Sequence, residues 1–316
     1  MPVPDTVSAP WREILPQMHG AFAPGAPAAD DVEGWRERRA QRATVLRASV
    51  DEALARFEPA LRERTIAGVP VLEIVPRGAR ADDARVVVHL HGGGFTNGAA
   101  RTSLPISARL AHATAVRVLS IEYGLAPEQR WRATIEQVVA VLAALPGAGH
   151  PLERVAVYGE SAGGGLAAGA LLAMRDRGLG LPAALLLLSP WADVTDRGDT
   201  SITLRDAEPV FRYDAHLRSA ALAYADPADQ RHPHVSPVYG DFSKGFAPTL
   251  IQGGTRELFL SHFVRLYRAI DAAGGTAVLD LHEGMPHGFA SMAPTSDESA
   301  AAFDRAQRFF AEHLPR

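Results

Sequence analysis

The stretch from Arg154 to Arg175 limits how this chain can fold more than any other. A short apolar run, Arg154–Tyr158, enters Gly159-Glu160-Ser161-Ala162-Gly163, and a helix rich in small residues, Ala162–Arg175, follows at once. A strand that turns so sharply into a helix must cross over to a neighbour running the same way. The same rhythm recurs. Arg85–His89, Val116–Ile121, Ala183–Leu188, Thr249–Ile251 and Ala277–Leu281 are short apolar runs of the buried-parallel type. Ala133–Leu145, Leu258–Ala273 and Ser299–His313 carry helical spacing, and Arg64–Val75 reads as a strand pair around Ala67-Gly68. The pattern predicts an α/β fold, a mostly parallel sheet with helices on both faces.

Two segments stand outside the alternation. Up to about Pro59 the chain reads as helical, with Val32, Trp35, Val45, Leu46, Val50, Leu54 and Phe57 at near-helical spacing. Pro24, Gly25 and Pro27 break the pattern before it. Residues Asp193–Ala247 lie between two core strands and are too long for a connecting loop. They carry possible helices near Ser201–Asp206 and Asp214–Ala225. Both segments are expected to roof one end of the sheet. The expected division is residues 1–60 and 195–246 as a helical cap, and 61–194 with 247–316 as the catalytic domain.

Composition excludes several classes. Apolar residues make up 47% of the 316, enough for a large core, and the net charge of −4 gives no basic footprint for nucleic acid. The chain has no cysteine, so thiol chemistry and disulfides are excluded. The longest apolar stretch, Ala183–Leu188, cannot span a bilayer, and Met1–Pro10 lacks the pattern of a signal peptide. A cytoplasmic protein is expected, acting without metal or cofactor.

Chemistry concentrates at three places. Gly159–Gly163 fits a strained turn that lifts the Ser161 hydroxyl above the sheet and opens a helix with free N–H groups. By chance the pattern would occur in about one such chain in ten, so its strand-to-helix setting carries the argument. His91-Gly92-Gly93-Gly94 follows the Arg85–His89 strand; consecutive glycines let a backbone approach a reacting oxygen and offer N–H groups to it. His91 itself is read as orienting the loop. Pro286-His287-Gly288-Phe289 follows the last core strand, where a base for the serine belongs. Two carboxylates compete to orient that histidine. Glu257 follows the Thr249–Ile251 strand, and Asp193 follows the preceding one; the strand order favours Glu257.

With these motifs in hand, the chain from about Arg85 onward resembles the hormone-sensitive-lipase-like (bacterial family IV) esterases of the α/β-hydrolase superfamily. The resemblance rests on HGGGF at His91–Phe95, YGLAPE at Tyr123–Glu128, GESAGGGLA at Gly159–Ala167, SPWADVT at Ser189–Thr195 and PHGF at Pro286–Phe289. It implies an eight-stranded sheet, a cap, and a triad of Ser161, Glu257 and His287. It also implies oxyanion donors from the amides of Gly93, Gly94 and Ala162, and hydrolysis of short- to medium-chain carboxylic esters through an acyl-enzyme. Lactone or amide hydrolysis on the same triad is an alternative, and a non-catalytic receptor of this fold a remote one. A homodimer is a further expectation, since family members often pair through the last strand. Phe95, Trp35, Phe211 and Tyr213 are expected around the substrate, with Phe57 as a further cap aromatic that could wall the acyl pocket. Three departures stand out. Gly124 replaces the family's usual arginine, Glu160 fills the elbow position often held by aspartate or threonine, and Phe259-Leu260-Ser261-His262 lacks the second acid many relatives carry.

Overall fold

A computed structural model describes residues 3–18, 25–80 and 82–314. Pro24, one of the expected breaks, lies outside them. The strands are β1 (Ala60–Ile66), β2 (Val69–Val75), β3 (Val86–Leu90), β4 (Val118–Ile121), β5 (Val155–Glu160), β6 (Ala184–Leu188), β7 (Thr249–Gly254) and β8 (Ala277–His282). The longer helices are α1 (Ala9–Met18), α2 (Val32–Phe57), α3 (Leu104–Thr114), α4 (Trp131–Ala144) and α5 (Ala162–Asp176). After β6 come α6 (Thr200–Thr203), α7 (Arg218–Tyr224), α8 (Leu260–Ala272), α9 (Phe289–Met292) and α10 (Asp297–His313). One eight-stranded sheet runs in the order β1-β2-β4-β3-β5-β6-β7-β8. Only β1 with β2 and β2 with β4 pair antiparallel. The chain thus has the expected α/β architecture.

The central strands are apolar without alternation because both faces are covered. Val86 and Val88 enter one core cluster and Val87 the other; Leu185 and Leu187 part from Leu186 and Leu188 in the same way. Each such side chain contributes about 1.5–3 kcal/mol by leaving water. The hairpin turn is at Ala67 and Gly68, where both residues take positive φ, 49° and 80°, as a two-residue type I′ loop requires. The pairing starts at Ala60, four residues before the expected Arg64.

Helix α3 has no counterpart in the sequence reading. Leu104, Ile106, Ala108 and Leu110 alternate as a strand would, yet all are buried, with Ser107 and Ala111, between β4, α2 and α10.

The N-terminal helices divide. Trp11 and Leu15 of α1 join the cluster that holds Phe289 and Phe310, and Trp11 Nε1 donates to Ser296 Oγ at 3.1 Å. Trp35 near the start of α2 enters the opposite cluster with Phe211 and Tyr224, while Val50, Leu54 and Phe57 at its end pack with the α1 cluster. The chain before α2 also meets the insertion directly, as Ala26 N donates to Ala215 O at 2.9 Å. Among the described residues no helix is long and apolar enough to cross a membrane.

Candidate active site

Parallel pairing brings the motifs together. β3 and β5 are neighbours with Leu90 opposite Gly159, so the turn after β3 and the turn after β5 emerge side by side. The contact is between backbones. A Cβ on Gly163 would lie 2.1 Å from Leu90 O, and one on Gly93 would lie 2.1 Å from Asn97 O, at a φ of +124°. Only glycine fits either place.

Ser161 holds φ 53° and ψ −122°, a conformation costing about 1–3 kcal/mol. Its surroundings enforce it. Ser161 N donates to Leu188 O at 2.9 Å, and Trp191 N donates to Ser161 O at 2.8 Å. α5 begins at the next residue, Ala162, where the first amides of a helix have no partner within it.

His287 lies on the turn after β8, with its side chain only slightly exposed. Its Nε2 is 2.9 Å from Ser161 Oγ, and its Nδ1 is 2.9 Å from Glu257 Oε2. With Nδ1–H donating to the carboxylate, Nε2 is left to accept the serine proton. Glu257 is fully buried. Its Oε1 accepts from Ser189 Oγ at 2.8 Å and from Gly254 N at 2.6 Å. Asp193 is engaged elsewhere. It pairs with Arg265 at 2.6 Å and accepts from Thr195 and from Tyr239 Oη. Burial opposes its charge, yet His262, Thr195 and Arg265 hold its pKa below the usual carboxylate value.

The glycine loop is braced from below and from the side. His91 is fully buried; Nδ1–H donates to Gly92 O at 2.9 Å, Tyr123 Oη donates to His91 O at 2.6 Å, and the rings stack at 4.2 Å. Burial lowers its pKa to about 4, so it stays neutral. Arg39 of α2 donates to Thr96 O and Ala126 O, both at 2.8 Å, and pairs with Glu128. Arg39 thus partners Glu128, whose pKa it lowers to about 2, without the arginine missing at Gly124. Gln129 packs against Gly124, filling the space a side chain there would take. Gly92 N donates to Glu160 Oε1 at 3.4 Å, which ties the elbow to the loop; burial raises the Glu160 pKa.

The expected substrate-lining aromatics fall in different places. Phe211 sets its ring 4.7 Å from that of His287, and Phe95 stacks on Tyr224 at 3.8 Å and on Trp191 at 5.4 Å. Trp35 is buried with Nε1 donating to Ala28 O, and Tyr213 Oη donates to Val194 O. Phe57 meets His112 with tilted rings and packs with the other core cluster.

The sequence reading did not single out Arg39 or Ser189. Ser189 sat within a quoted motif, but nothing in the sequence tied its hydroxyl to Glu257; Arg39 was one arginine among many on a charged helix.

The profile of the α/β-hydrolase fold family matches residues 87–291, and the chain belongs to that family. It is 36% identical over 227 residues to an acetyl-hydrolase of Streptomyces hygroscopicus, covering 72% of this chain and 75% of that one. The structure superposes on the esterase E25 with a TM-score of 0.89 at 29% identity, over 100% of this chain and 97% of the other. An esterase from the bacterial hormone-sensitive lipase family superposes with a TM-score of 0.79 at 32% identity, over 91% and 98%. Within the α/β hydrolases this chain is of the hormone-sensitive-lipase-like type.

Proposed function

We propose that Ser161, His287 and Glu257 form the catalytic triad of this carboxylic-ester hydrolase. The hydrogen-bonded chain from Glu257 through His287 to Ser161, with both contacts at 2.9 Å, carries the reading. His287 Nε2 takes the Ser161 proton as Oγ attacks the ester carbonyl carbon. The C=O electron pair moves onto oxygen, and the amides of Gly93, Gly94 and Ala162 receive the resulting charge. His287 passes its proton to the departing alcohol, leaving an acyl-Ser161. Water then enters and gives a proton to His287 as its oxygen bonds to the acyl carbon; the bond to Ser161 Oγ breaks, the His287 proton returns to Oγ, and the acid is released.

The start of helix α2 with the insertion, residues 195–246, forms the cap in this reading, while α1 and the end of α2 belong with the catalytic domain. The contact of Ala26 with Ala215 and that of Trp11 with Ser296 support the division. The short distance from Phe211 to His287 supports short- and medium-chain acyl groups as substrates. β8 pairs with β7 alone among the described strands, and its free edge suits pairing with a second copy.

A fluorophosphonate probe tests the reading. The expected result is one adduct per chain, mapped to Ser161 by peptide mass and absent in Ser161→Ala. An unlabelled protein, or an adduct on another residue, would overturn it. A matched panel of p-nitrophenyl esters, lactones and anilides then fixes the leaving-group class, with esters expected to turn over fastest.

A further inference from the structure

Glu208 stands in the insertion, where nothing in the sequence sets it apart from its acidic neighbours. It is fully buried. Its Oε1 accepts from Val210 N at 2.9 Å, and its Oε2 accepts from His287 N at 3.3 Å; the backbone of Leu258, the residue after Glu257, also faces it. Three residues further on, Phe211 meets the His287 ring edge-on. One short stretch of the insertion therefore touches both the main chain and the ring of the histidine.

The turn that carries His287 is held at two consecutive amides. His287 N donates to Glu208, and Gly288 N donates to Ser189 Oγ at 3.3 Å. Ser189 also donates to Glu257. The two acceptors come from different parts of the chain, β6's end and the insertion. Without Glu208 the buried His287 amide would lose its acceptor, and a buried donor without a partner is costly. The turn would shift to find one, and the Nε2-to-Oγ distance would shift with it.

We propose that Glu208 is a positioning residue of the ester hydrolysis, fixing the main chain of His287 from the insertion so that the ring meets both Ser161 and Glu257. The proposal rests on the triad reading above. Burial, then the neighbouring Glu257, push the Glu208 pKa well above the usual carboxylate range. A carboxyl accepts hydrogen bonds with or without a charge, so the brace needs none. It also places histidine alignment under the control of the insertion, because the brace exists only when that segment is seated.

The test uses Glu208→Leu and Glu208→Gln in the full chain. Competent sites are counted by exhaustive fluorophosphonate labelling, and kcat and KM for p-nitrophenyl acetate are expressed per labelled site. Misplacing a reacting group by an ångström can cost about a hundredfold, so Glu208→Leu is expected to lower kcat about 10- to 100-fold. KM should stay within about twofold. Glu208→Gln keeps one acceptor oxygen and is expected to lose less. Glu257 and His287 are the titratable groups beside Glu208, and Glu160 also acts on His287. A brace that acts only as a hydrogen-bond acceptor leaves the acid limb of the kcat/KM profile in place when the carboxyl becomes an amide. Two results would overturn the proposal. One is an unchanged kcat per site in Glu208→Leu with only a lower melting temperature. The other is an acid limb in Glu208→Gln displaced downward by about half a pH unit or more, the mark of a lost charge. Should Glu208→Leu fail to fold, Glu208→Gln decides alone, by its kcat and its acid limb. Failure of the wild type to label at Ser161 counts against the triad reading, not this one.

Discussion

Where Gly163 meets Leu90, one added carbon would lie 2.1 Å from a carbonyl oxygen; where Phe211 meets His287, two rings rest 4.7 Å apart. The first contact belongs to the elbow and the glycine loop, which are packed backbone to backbone and pinned by main-chain hydrogen bonds. The second belongs to the insertion, which reaches the site through side chains. Backbone packing in a close-packed interior has no slack, whereas a side chain can be exchanged for another shape. The comparison teaches a division of means: the elbow side is held by backbone contact, and the insertion side acts through side chains.

The sharpest way to break that division is at the serine. Ser161→Ala is expected to lower kcat on p-nitrophenyl esters by about 10⁶, the scale for a lost triad nucleophile, with the circular dichroism spectrum unchanged. A mutant keeping a tenth of the activity would end it. Next comes Glu257→Gln, which leaves the shape but removes the charge facing His287 Nδ1. Steady-state assay should show kcat lower by about 10³ to 10⁴. Asp193→Asn, whose carboxylate serves Arg265 and Tyr239, should cost far less activity; the reverse order, with both proteins folded, would make Asp193 the acid.

Gly163→Ala probes the packing itself. The added carbon forces the elbow away from β3, and urea unfolding should show a loss of about 3 kcal/mol. Phe211→Ala probes the other side. It should leave acetate turnover within a fewfold and raise activity on longer acyl chains about tenfold, the worth of one or two methylenes in an apolar pocket. An unchanged chain-length profile would place the acyl pocket away from Phe211.

A separate effect, on stability, comes from histidines whose charge burial opposes. Burial lowers the pKa of His89 to about 3, and of His91, His234 and His262 to about 4. Between pH 6.5 and 4 the unfolded chain binds protons that the folded chain refuses. Stability therefore rises with pH across that window and falls as the pH drops. The slope is at most about 1.4 kcal/mol per pH unit for each histidine. Denaturant midpoints measured from pH 7 to pH 4 should fall.

Much of this was legible beforehand, and for identifiable reasons. Continuous apolar runs such as Val86–Leu90 mark strands covered on both faces. A serine between glycines at a strand-to-helix junction marks a strained turn wherever it occurs. These are local signals, set by residue type and spacing. Helix α3 was illegible for a local reason too: Leu104, Ile106, Ala108 and Leu110 alternate, and only burial on several faces at once turns that pattern into a helix. The division of the N-terminal helices was hidden differently. Trp11 and Trp35 are equally large and apolar, and nothing in either residue says which side of the sheet it enters.

The sequence by itself determined the alternation of strands and helices, the turn that holds Ser161, and the order in which serine, acid and histidine follow along the chain. It did so because backbone conformation and burial pattern are dictated by neighbours a few residues apart. Only the tertiary structure decided that Glu257 rather than Asp193 lies on His287. It alone brought Arg39 to the glycine loop, and Ser189 and Glu208 to the turn that carries the histidine. Hydrogen bonds made by side chains across 30 to 99 residues depend on where the sheet and the insertion place their backbones, and no local spacing records that.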